Sequence, residues 1–325
     1  MKVLRNHFDG KSTILIDDYI INGCQKFKLE DAKPILEYYN VPAGLWQQVL
    51  DVYTGVSTPE QIEAHLDHAD PNVRAAIAGQ GYHLDILVND PSYRGRTAVA
   101  KQGYGLDILV KDPDHFVRKA VAEQGYGLDI LVKDHESCVR IAVAKQGYGL
   151  DILVNDHDPY VRIVVAEQGY GLDILINDPN PDVRRVVARM RYGLEILIND
   201  HEPLVREVVA EQGYGLDILI NDPSYRVRMA VAQQGYGLDI LVNDHDPYVR
   251  LAVARMRYGL DILINDPNPF VRIAVAEQGY GLDILIKDSE SCVRIAVARM
   301  GYGLKILIKD SDPFVRAVAK YMFQR

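Results

Sequence analysis

The feature that most constrains this sequence is a repeat of 22 residues. It is marked by an arginine that recurs at that interval, at Arg74, Arg96, Arg118, Arg140, Arg162, Arg184, Arg206, Arg228, Arg250, Arg272, Arg294 and Arg316. The interval defines twelve repeats that begin near residue 68, the last of them shorter than the others. A catalytic site needs a few unlike residues in one place, whereas identical residues at a fixed interval are typical of a fold built by stacking similar units.

Each repeat contains the signals of two helices. We number its positions from 0 to 21, so that Asp156 is position 0 and Asn177 is position 21. Position 2 is Ser, Asp, Glu or Asn, position 3 is Pro in seven repeats and position 13 is Gly in most, which predicts a helix of about ten residues. The Leu-Asp-Ile-Leu segment that follows predicts a second helix of little more than one turn, short or partly 3₁₀. A strand is the alternative for this segment, because short apolar runs are ambiguous.

The first helix of the repeat has three faces when its residues are placed about 100° apart. Positions 5, 8, 9 and 12 fall on one side and predict the core; in one repeat they are Val117, Ala120, Val121 and Gln124. Positions 6 and 10, an Arg and an Ala, lie on one flank, where the small Ala would let a neighbouring helix approach closely. Positions 4, 7 and 11 form the third face, and the repeats differ most at these positions.

The recurring pattern Asp-x-x-x-x-Val-Arg-x-x-Val-Ala resembles HEAT-like repeats, including the leucine-rich variant class, over residues 68–325. The resemblance implies a right-handed superhelix in which an α-helix alternates with a short α- or 3₁₀-helix. It also implies a hydrogen-bonded ladder between repeats, made by an Asp and an Arg six residues later, as in Asp112 with Arg118 and Asp156 with Arg162. Because solenoids host binding, enzymatic and DNA-repair roles, the resemblance indicates a scaffold without fixing its function.

Residues 1–67 do not repeat, and we interpret them as an N-terminal helical cap domain. Residues 29–50 read as helical with a break at Val41-Pro42, and a third helix is expected after Ser57-Thr58-Pro59-Glu60. A solenoid needs its first repeat covered, and a separate functional domain is the alternative. The predicted fold is therefore all-α: a right-handed α-solenoid of twelve two-helix repeats over residues 68–325, with a helical cap over residues 1–67.

The variable face of the first helix is the candidate partner-binding surface. At position 4 the candidate residues are Arg94, Phe116, Tyr160, Asp182, Leu204, Arg226, Tyr248, Phe270 and Phe314. Aromatic residues and Arg are typical of interaction hot spots, while a solvent face free to drift would be mostly polar. A further alternative is that position 4 packs partly against the neighbouring repeat.

Two histidine pairs resemble those of the HEAT-repeat hydroxylase that modifies deoxyhypusine and binds two irons. His135-Glu136 and His201-Glu202 are three repeats apart, however, which at about 9 Å per helix row places them on the order of 27 Å from each other. That distance is too long for a shared metal centre, so histidines in solvated loops are the better interpretation. The three cysteines are scattered and match neither a disulfide framework nor an iron–sulfur segment. We therefore expect no enzymatic activity, no metal and no cofactor.

The charge distribution bears on nucleic acids in two ways. The net charge of −9 supplies no basic face, so we do not expect direct binding to nucleic acid, and the repeated Arg is better explained by the ladder than by phosphate contacts. Conversely, Asp recurs at positions 0 and 17 and could imitate a row of phosphates. The alternative function is therefore an acidic mimic or inhibitor of a nucleic-acid-acting, defence-type enzyme, of mobile-element origin. A Tyr at position 14 of eleven repeats is expected to pack between repeats with its hydroxyl on a backbone group.

These observations favour a non-catalytic protein-interaction scaffold that binds a macromolecular partner along positions 4, 7 and 11. The N-terminal residues contain no apolar run typical of a signal peptide, and no apolar stretch is long enough to span a membrane. We therefore expect a cytoplasmic protein without a membrane contact, whose partner is a protein. The apolar residues near the C-terminus, within 319–325, allow either a monomer or a homodimer through this end.

Overall fold

A computed structural model of the chain describes residues 2–5, 12–16, 19–22, 25–28, 62–63 and 65–324. The chain divides into two compact units, residues 1–168 and residues 169–325. In both units each repeat forms a longer helix, here the A helix, and each except the last then forms a four-residue helix, here the B helix. The A helices have nine residues, except for the last, which has eleven.

The helices of the first unit follow one another without a break in the repeat. The A helices are α1 (Pro71–Gly79), α3 (Tyr93–Lys101), α5 (His115–Glu123), α7 (Ser137–Lys145) and α9 (Pro159–Glu167). The B helices between them are α2 (Leu84–Leu87), α4 (Leu106–Leu109), α6 (Leu128–Leu131) and α8 (Leu150–Leu153).

The second unit continues the same alternation. Its A helices are α11 (Pro181–Arg189), α13 (Pro203–Glu211), α15 (Tyr225–Gln233), α17 (Pro247–Arg255), α19 (Pro269–Glu277), α21 (Ser291–Arg299) and α23 (Pro313–Phe323). Its B helices are α10 (Leu172–Leu175), α12 (Leu194–Leu197), α14 (Leu216–Leu219), α16 (Leu238–Leu241), α18 (Leu260–Leu263), α20 (Leu282–Leu285) and α22 (Leu304–Leu307). Within each unit consecutive A helices pack side by side, so each unit is an α-solenoid, as the repeat predicted. The handedness of the superhelix stays a prediction.

The ends of each A helix are set by the residues that the sequence singled out. At the start of α5 the carboxylate of Asp114 accepts a hydrogen bond from the backbone N–H of Phe116, at 2.8 Å. At its end the N–H groups of Gly125 and Tyr126 donate to the carbonyls of Ala122 and Val121, at 2.9 and 3.4 Å. This is a Schellman motif, which stops the helix and turns the chain toward the next B helix.

The core of each repeat comes from positions 5, 8, 9 and 10 of the A helix and position 19 of the B helix. In α7 Val139, Val143 and Ala144 are completely buried. The prediction that position 12 belongs to the core is wrong, because Gln124 is exposed. The helix has already ended at position 11, so a helical wheel no longer describes the direction of this side chain. The Gln at position 12 instead reaches the preceding repeat, as in the hydrogen bond from Gln102 Nε2 to the carbonyl of Gly79, at 2.8 Å.

Two glycines of the repeat have left-handed backbones but differ in their surroundings. Gly147, at position 13, has φ 73°, and a Cβ there would meet nothing within 4 Å. Gly149, at position 15, has φ 62°, and its Cβ would lie 2.5 Å from Cγ2 of Val132 in the preceding B helix. Position 13 also accommodates Arg191 and Arg257 at φ 59° and 60°. Position 13 thus needs only the backbone conformation, whereas position 15 also needs the absence of a side chain.

We expect this difference to separate two otherwise identical substitutions. Gly147→Ala should lower the free energy of unfolding by about 1 kcal/mol, the usual penalty for a left-handed non-glycine residue. Gly149→Ala should lower it by about 2–4 kcal/mol, since overpacking against Val132 adds to that penalty. Urea denaturation followed by circular dichroism measures both. Equal losses for the two variants would show that the contact with the preceding B helix is not tight.

The described segments at the N-terminus differ from the predicted helical cap. Lys2–Arg5, Ser12–Ile16, Tyr19–Asn22 and Gln25–Lys28 are strands β1 to β4 of an antiparallel sheet in that order, with Val3 opposite Ile14 and Ile20 opposite Phe27. The expectation of an all-α chain therefore holds for the repeats and is wrong for this segment. The strands are rich in Val, Ile and Thr, which favour extended backbone. The helices expected within residues 29–50 lie outside the described residues, and of the third helix, expected after Glu60, only residues 62–63 are described, which are helical.

Candidate functional site

The repeated arginine connects adjacent repeats through three groups of its guanidinium. In α5 the Nε and Nη2 atoms of Arg118 donate to the two carboxylate oxygens of Asp134, at 2.6 and 2.9 Å. Its Nη1 atom donates to the backbone carbonyl of Asp112, at 2.8 Å. The residue six positions earlier thus supplies its carbonyl, and the carboxylate comes from the following repeat. Arg162 likewise donates to the carbonyl of Asp156, at 2.6 Å.

The same bidentate ion pair recurs along each unit. In the first unit it joins Arg74 to Asp90, Arg96 to Asp112, Arg118 to Asp134 and Arg140 to Asp156. In the second it joins Arg184 to Asp200, Arg206 to Asp222, Arg228 to Asp244, Arg250 to Asp266, Arg272 to Asp288 and Arg294 to Asp310. The hydrogen-bond donors of these guanidinium groups are directed at carboxylates and backbone carbonyls of the repeats themselves.

Six of the ladder aspartates have a pKa below the ordinary value. Burial of Asp156 opposes ionisation, but the hydrogen bonds from Arg140 and from the N–H of Asp158 outweigh it and lower the pKa of Asp156. Hydrogen bonds of the same kinds also outweigh burial at four other aspartates and lower their pKa, namely Asp134, Asp200, Asp244 and Asp288. For Asp310 the hydrogen bond from Arg294 is the largest cause of its lowered pKa.

Four histidines follow ladder aspartates in the sequence and lie beside the guanidinium groups. The Nε2 atoms of His135, His157, His201 and His245 lie 3.1–3.4 Å from the Nη2 atom of the arginine in the preceding repeat. Their side chains are largely exposed. The described part of the chain contains no group of three or more His, Cys, Asp or Glu side chains that could hold a metal ion.

The candidate residues at position 4 lie on the outer surface of the A helices. Large apolar side chains are exposed there: Phe116 by 48%, Tyr160 by 68%, Leu204 by 38%, Tyr248 by 59%, Phe270 by 64% and Phe314 by 73%. Asp182 and Arg226 are also exposed, whereas Arg94 is half-buried. The structure therefore places these residues on the same side of successive A helices, and most of them are exposed.

Two of these aromatic rings pack partly against the preceding repeat. Phe116 stacks on Tyr93 and Tyr248 stacks on Tyr225, each with ring centroids 5.6 Å apart. Arg94 donates from Nη1 to the Oδ1 atom of Asn72, at 3.2 Å, so it too contacts the neighbouring repeat. The alternative that position 4 packs against a neighbour thus applies to part of this surface, and Phe270 and Phe314 remain its most open aromatic residues in the second unit.

The apolar residues of the variable face concentrate on four consecutive A helices of the second unit, α17, α19, α21 and α23. We name this surface the apolar stripe; its exposed members are Tyr248, Phe270 and Phe314, and its half-buried members are Leu251, Ile273, Cys292 and Ile295. A shorter set lies in the first unit and consists of Phe116, Cys138, Ile141, Tyr160 and Ile163. Burial raises the pKa of the Cys138 thiol, so this residue acts as a small apolar side chain.

The variable face is charged on the A helices at the start of the second unit. On α11 the side chains of Asp182 and Arg185 form an ion pair at 2.8 Å. Glu207 on α13 and Arg226 on α15 continue this charged section. The variable face therefore changes in kind along the second unit, from charged to apolar, while the buried residues of the repeats hardly change.

No family model and no curated protein matches this sequence. None of the helices in the described ranges is long and apolar enough to cross a membrane. The resemblance to HEAT-like and leucine-rich variant repeats stays an interpretation of the sequence pattern.

A second exposed surface was not singled out from the sequence. The Ile at position 18 of each B helix is exposed by 48–66%, and the Tyr at position 14 by 40–47%. The tyrosine hydroxyls make no hydrogen bond to the backbone within the described part of the chain, so the packing expected for them is wrong in this respect. Their backbone N–H groups close the Schellman motif instead. The sequence does carry a signal for this surface. An Ile recurs at position 18 of every B helix, although the Leu at position 19 already fills the core.

Proposed function

We propose that this protein is a non-catalytic scaffold that binds a protein partner through the variable face of its A helices, with the apolar stripe as the strongest contact. The scaffold is the α-solenoid, whose interior is nearly identical from repeat to repeat. The single observation that carries the proposal is the exposure of Phe270 and Phe314, by 64% and 73%, on helices whose framework residues are fully buried. Folding does not require large aromatic side chains in water, whereas binding does use them.

The chemistry of the stripe favours a protein as the partner. Its side chains are aromatic and aliphatic, and the bordering residues at position 11 alternate in charge, as Arg255, Glu277 and Arg299. An apolar centre with a polar border is the usual arrangement at protein–protein interfaces. We place the protein in the cytoplasm, as a monomer or as a homodimer through α23, where Phe323 is also exposed.

An acidic mimic or inhibitor of a nucleic-acid-acting enzyme is the second candidate function. The position 0 aspartates are paired with arginine, whereas the carboxylates of the position 17 row, such as Asp217 and Asp239, are exposed and have no ion-pair partner among the described residues. This candidate predicts that salt weakens partner binding steeply and that Asp→Asn changes at position 17 abolish it.

Removal of two rings from the stripe tests the scaffold proposal. We expect the Phe270→Ala/Phe314→Ala variant to capture a partner from lysate of the source cells about tenfold less well than the natural chain, because truncated hot-spot residues each weaken binding strongly. The amount captured is measured by quantitative mass spectrometry and then confirmed with the purified partner by calorimetry. Helicity should not change, since both side chains are mostly in solvent.

The matched control removes two aromatic rings elsewhere in the same unit. Tyr214→Ala/Tyr236→Ala alters side chains that are 40% and 43% exposed beside the B helices. It should leave capture through the stripe unchanged. If capture is lost with the control and retained with the stripe variant, the interaction lies on the other surface and the proposed face is wrong.

A further inference from the structure

The B helices carry a surface that is the same in almost every repeat. We name it the B face; it consists of the Tyr at position 14, the Asp at position 17 and the Ile at position 18. All three are exposed, and in α14 the side chain of Ile218 is 59% accessible. The variable face of the A helices suits a partner of irregular shape. The B face has a constant pattern, so it suits a partner whose own side chains recur at a constant interval.

The B face of the second unit is acidic as well as apolar. Positions 14 to 21 of five consecutive repeats, residues 170–177, 192–199, 214–221, 236–243 and 258–265, contain one carboxylate each and no Lys or Arg. None of these carboxylates has an ion-pair partner within the described chain. Arg191 and Arg257 lie just outside this section, at position 13, and Arg257 donates to the side-chain oxygen of Gln278, at 2.9 Å. An occupant that matches this surface therefore offers one positive charge for each repeat.

The interval between successive repeats is set by the A helices, which pack side by side. Successive B helices also meet at their ends: a Cβ on Gly237, just before α16, would lie 2.1 Å from Cδ1 of Ile220, the residue after α14. Helices in direct contact are about 8–10 Å apart. A polyproline II helix turns once in three residues and rises about 9 Å per turn, so side chains three residues apart point in one direction at this same interval.

A groove of about 770 Å³ lies at the C-terminal border of these five repeats. It is lined by Asn265, Pro267, Asp283 and Ile284, and Arg272 and Lys287 also contribute to its lining. Proline-rich segments bind grooves lined by aromatic and apolar side chains because their extended conformation is already formed before binding. Exposed Tyr, Ile and Asp side chains recur in each of the five repeats, so they offer an apolar contact and a negative charge at a constant interval.

We infer that the B face of the second unit binds a proline-rich basic segment of another protein, in polyproline II conformation, with Lys or Arg at every third residue. Each basic side chain pairs with the position 17 carboxylate of one repeat, and the intervening prolines pack on Tyr and Ile. This interaction is separate from the partner proposed for the apolar stripe, so either can hold without the other.

The test uses the full chain and a synthetic peptide of five Lys-Pro-Pro triplets, one for each of the five repeats. Two control peptides replace Lys by Glu, or keep the composition with the lysines at irregular intervals. Fluorescence polarisation measures binding to the natural chain and to two variants, Asp217→Asn/Asp239→Asn/Asp261→Asn and Ile218→Ser/Ile240→Ser/Ile262→Ser. Circular dichroism shows whether the variants are folded, and the Phe270→Ala/Phe314→Ala chain serves as the matched control.

The regular Lys-Pro-Pro peptide should bind about tenfold more tightly than either control peptide, and each B-face variant should lose about that factor. The stripe variant should bind it like the natural chain. Equal binding of the regular and irregular peptides would overturn the match of intervals. An effect of the Asp changes without an effect of the Ile changes would overturn the apolar contact and favour the acidic mimic. No saturable binding at ~1 mM peptide would overturn the inference as a whole.

Discussion

Replacement of Arg140 by Ala is expected to lower the free energy of unfolding by about 3–5 kcal/mol, the usual effect of removing one partner of a buried ion pair. The side chains of Arg140 and Asp156 are only 5% and 6% exposed. Without the guanidinium, the Asp156 carboxylate keeps a single hydrogen bond, from the N–H of Asp158 at 2.9 Å. The carbonyl of Asp134 also loses its donor, which lies at 2.7 Å. Urea denaturation followed by circular dichroism measures the change.

Two further variants of the same helix show whether the loss comes from the ladder. Lys145→Ala removes an exposed cation from the end of α7 and should change the free energy of unfolding by less than about 0.5 kcal/mol. Arg140→Lys keeps the charge but cannot reach the carboxylate and the carbonyl together, so its loss should be intermediate. Similar small losses for Arg140→Ala and Lys145→Ala would mean that the ladder contributes little to stability.

The regular repeat leaves open which Asp forms the ion pair with each ladder Arg. With a period of 22, an Asp that lies six residues before an Arg implies another that lies sixteen residues after it. The sequence cannot distinguish the two spacings. The expected pairing of Asp112 with Arg118 assumes the spacing of six residues. The structure uses both: the carbonyl of Asp112 and the carboxylate of Asp134 accept from the same guanidinium. The existence of contacts between repeats was predictable, but the direction of the ion pair was not.

The positions of the A helices were predictable because capping is local. An Asp or Asn that accepts from the N–H two residues later, and a glycine with positive φ past the end, act within a few residues. Exposure depends on neighbours in space, and the helical wheel fails where the helix ends, as at Gln124. The B helix has only four residues, so its pattern cannot distinguish the buried Leu at position 19 from the exposed Ile at position 18.

The N-terminal sheet was overlooked although the sequence carries a signal for it. Ser12–Ile16 and Tyr19–Asn22 are short runs rich in β-branched residues, and Asn22-Gly23 is a frequent hairpin dipeptide. The helical pattern is confined to residues 29–50, so it does not predict the structure of residues 1–28. Short strands gain stability mainly from pairing with one another, which a scan for helical periodicity does not detect.

Acid is expected to unfold the repeats in a pH range set by the ladder. The pKa values of Asp134, Asp156, Asp200, Asp244, Asp288 and Asp310 are lower in the folded chain than the ordinary 3.8. A carboxyl group with a lowered pKa in the folded state binds protons more readily when unfolded. The stability that it contributes is therefore complete above about pH 5 and decreases as the pH falls through 3.8 and then through the folded values.

A single substitution relates this acid response to the ladder. Asp156→Asn resembles a permanently protonated Asp156, so it should lower the free energy of unfolding by about 3 kcal/mol at pH 7 and by clearly less near pH 3. The B-face variant Asp217→Asn/Asp239→Asn/Asp261→Asn should follow the natural chain at both pH values, because those carboxylates are exposed. Urea denaturation at constant salt between pH 7 and pH 3 supplies the comparison. If the difference between Asp156→Asn and the natural chain stays constant over this range, the Asp156 carboxylate is not held ionised by Arg140, and acid sensitivity must come from other groups.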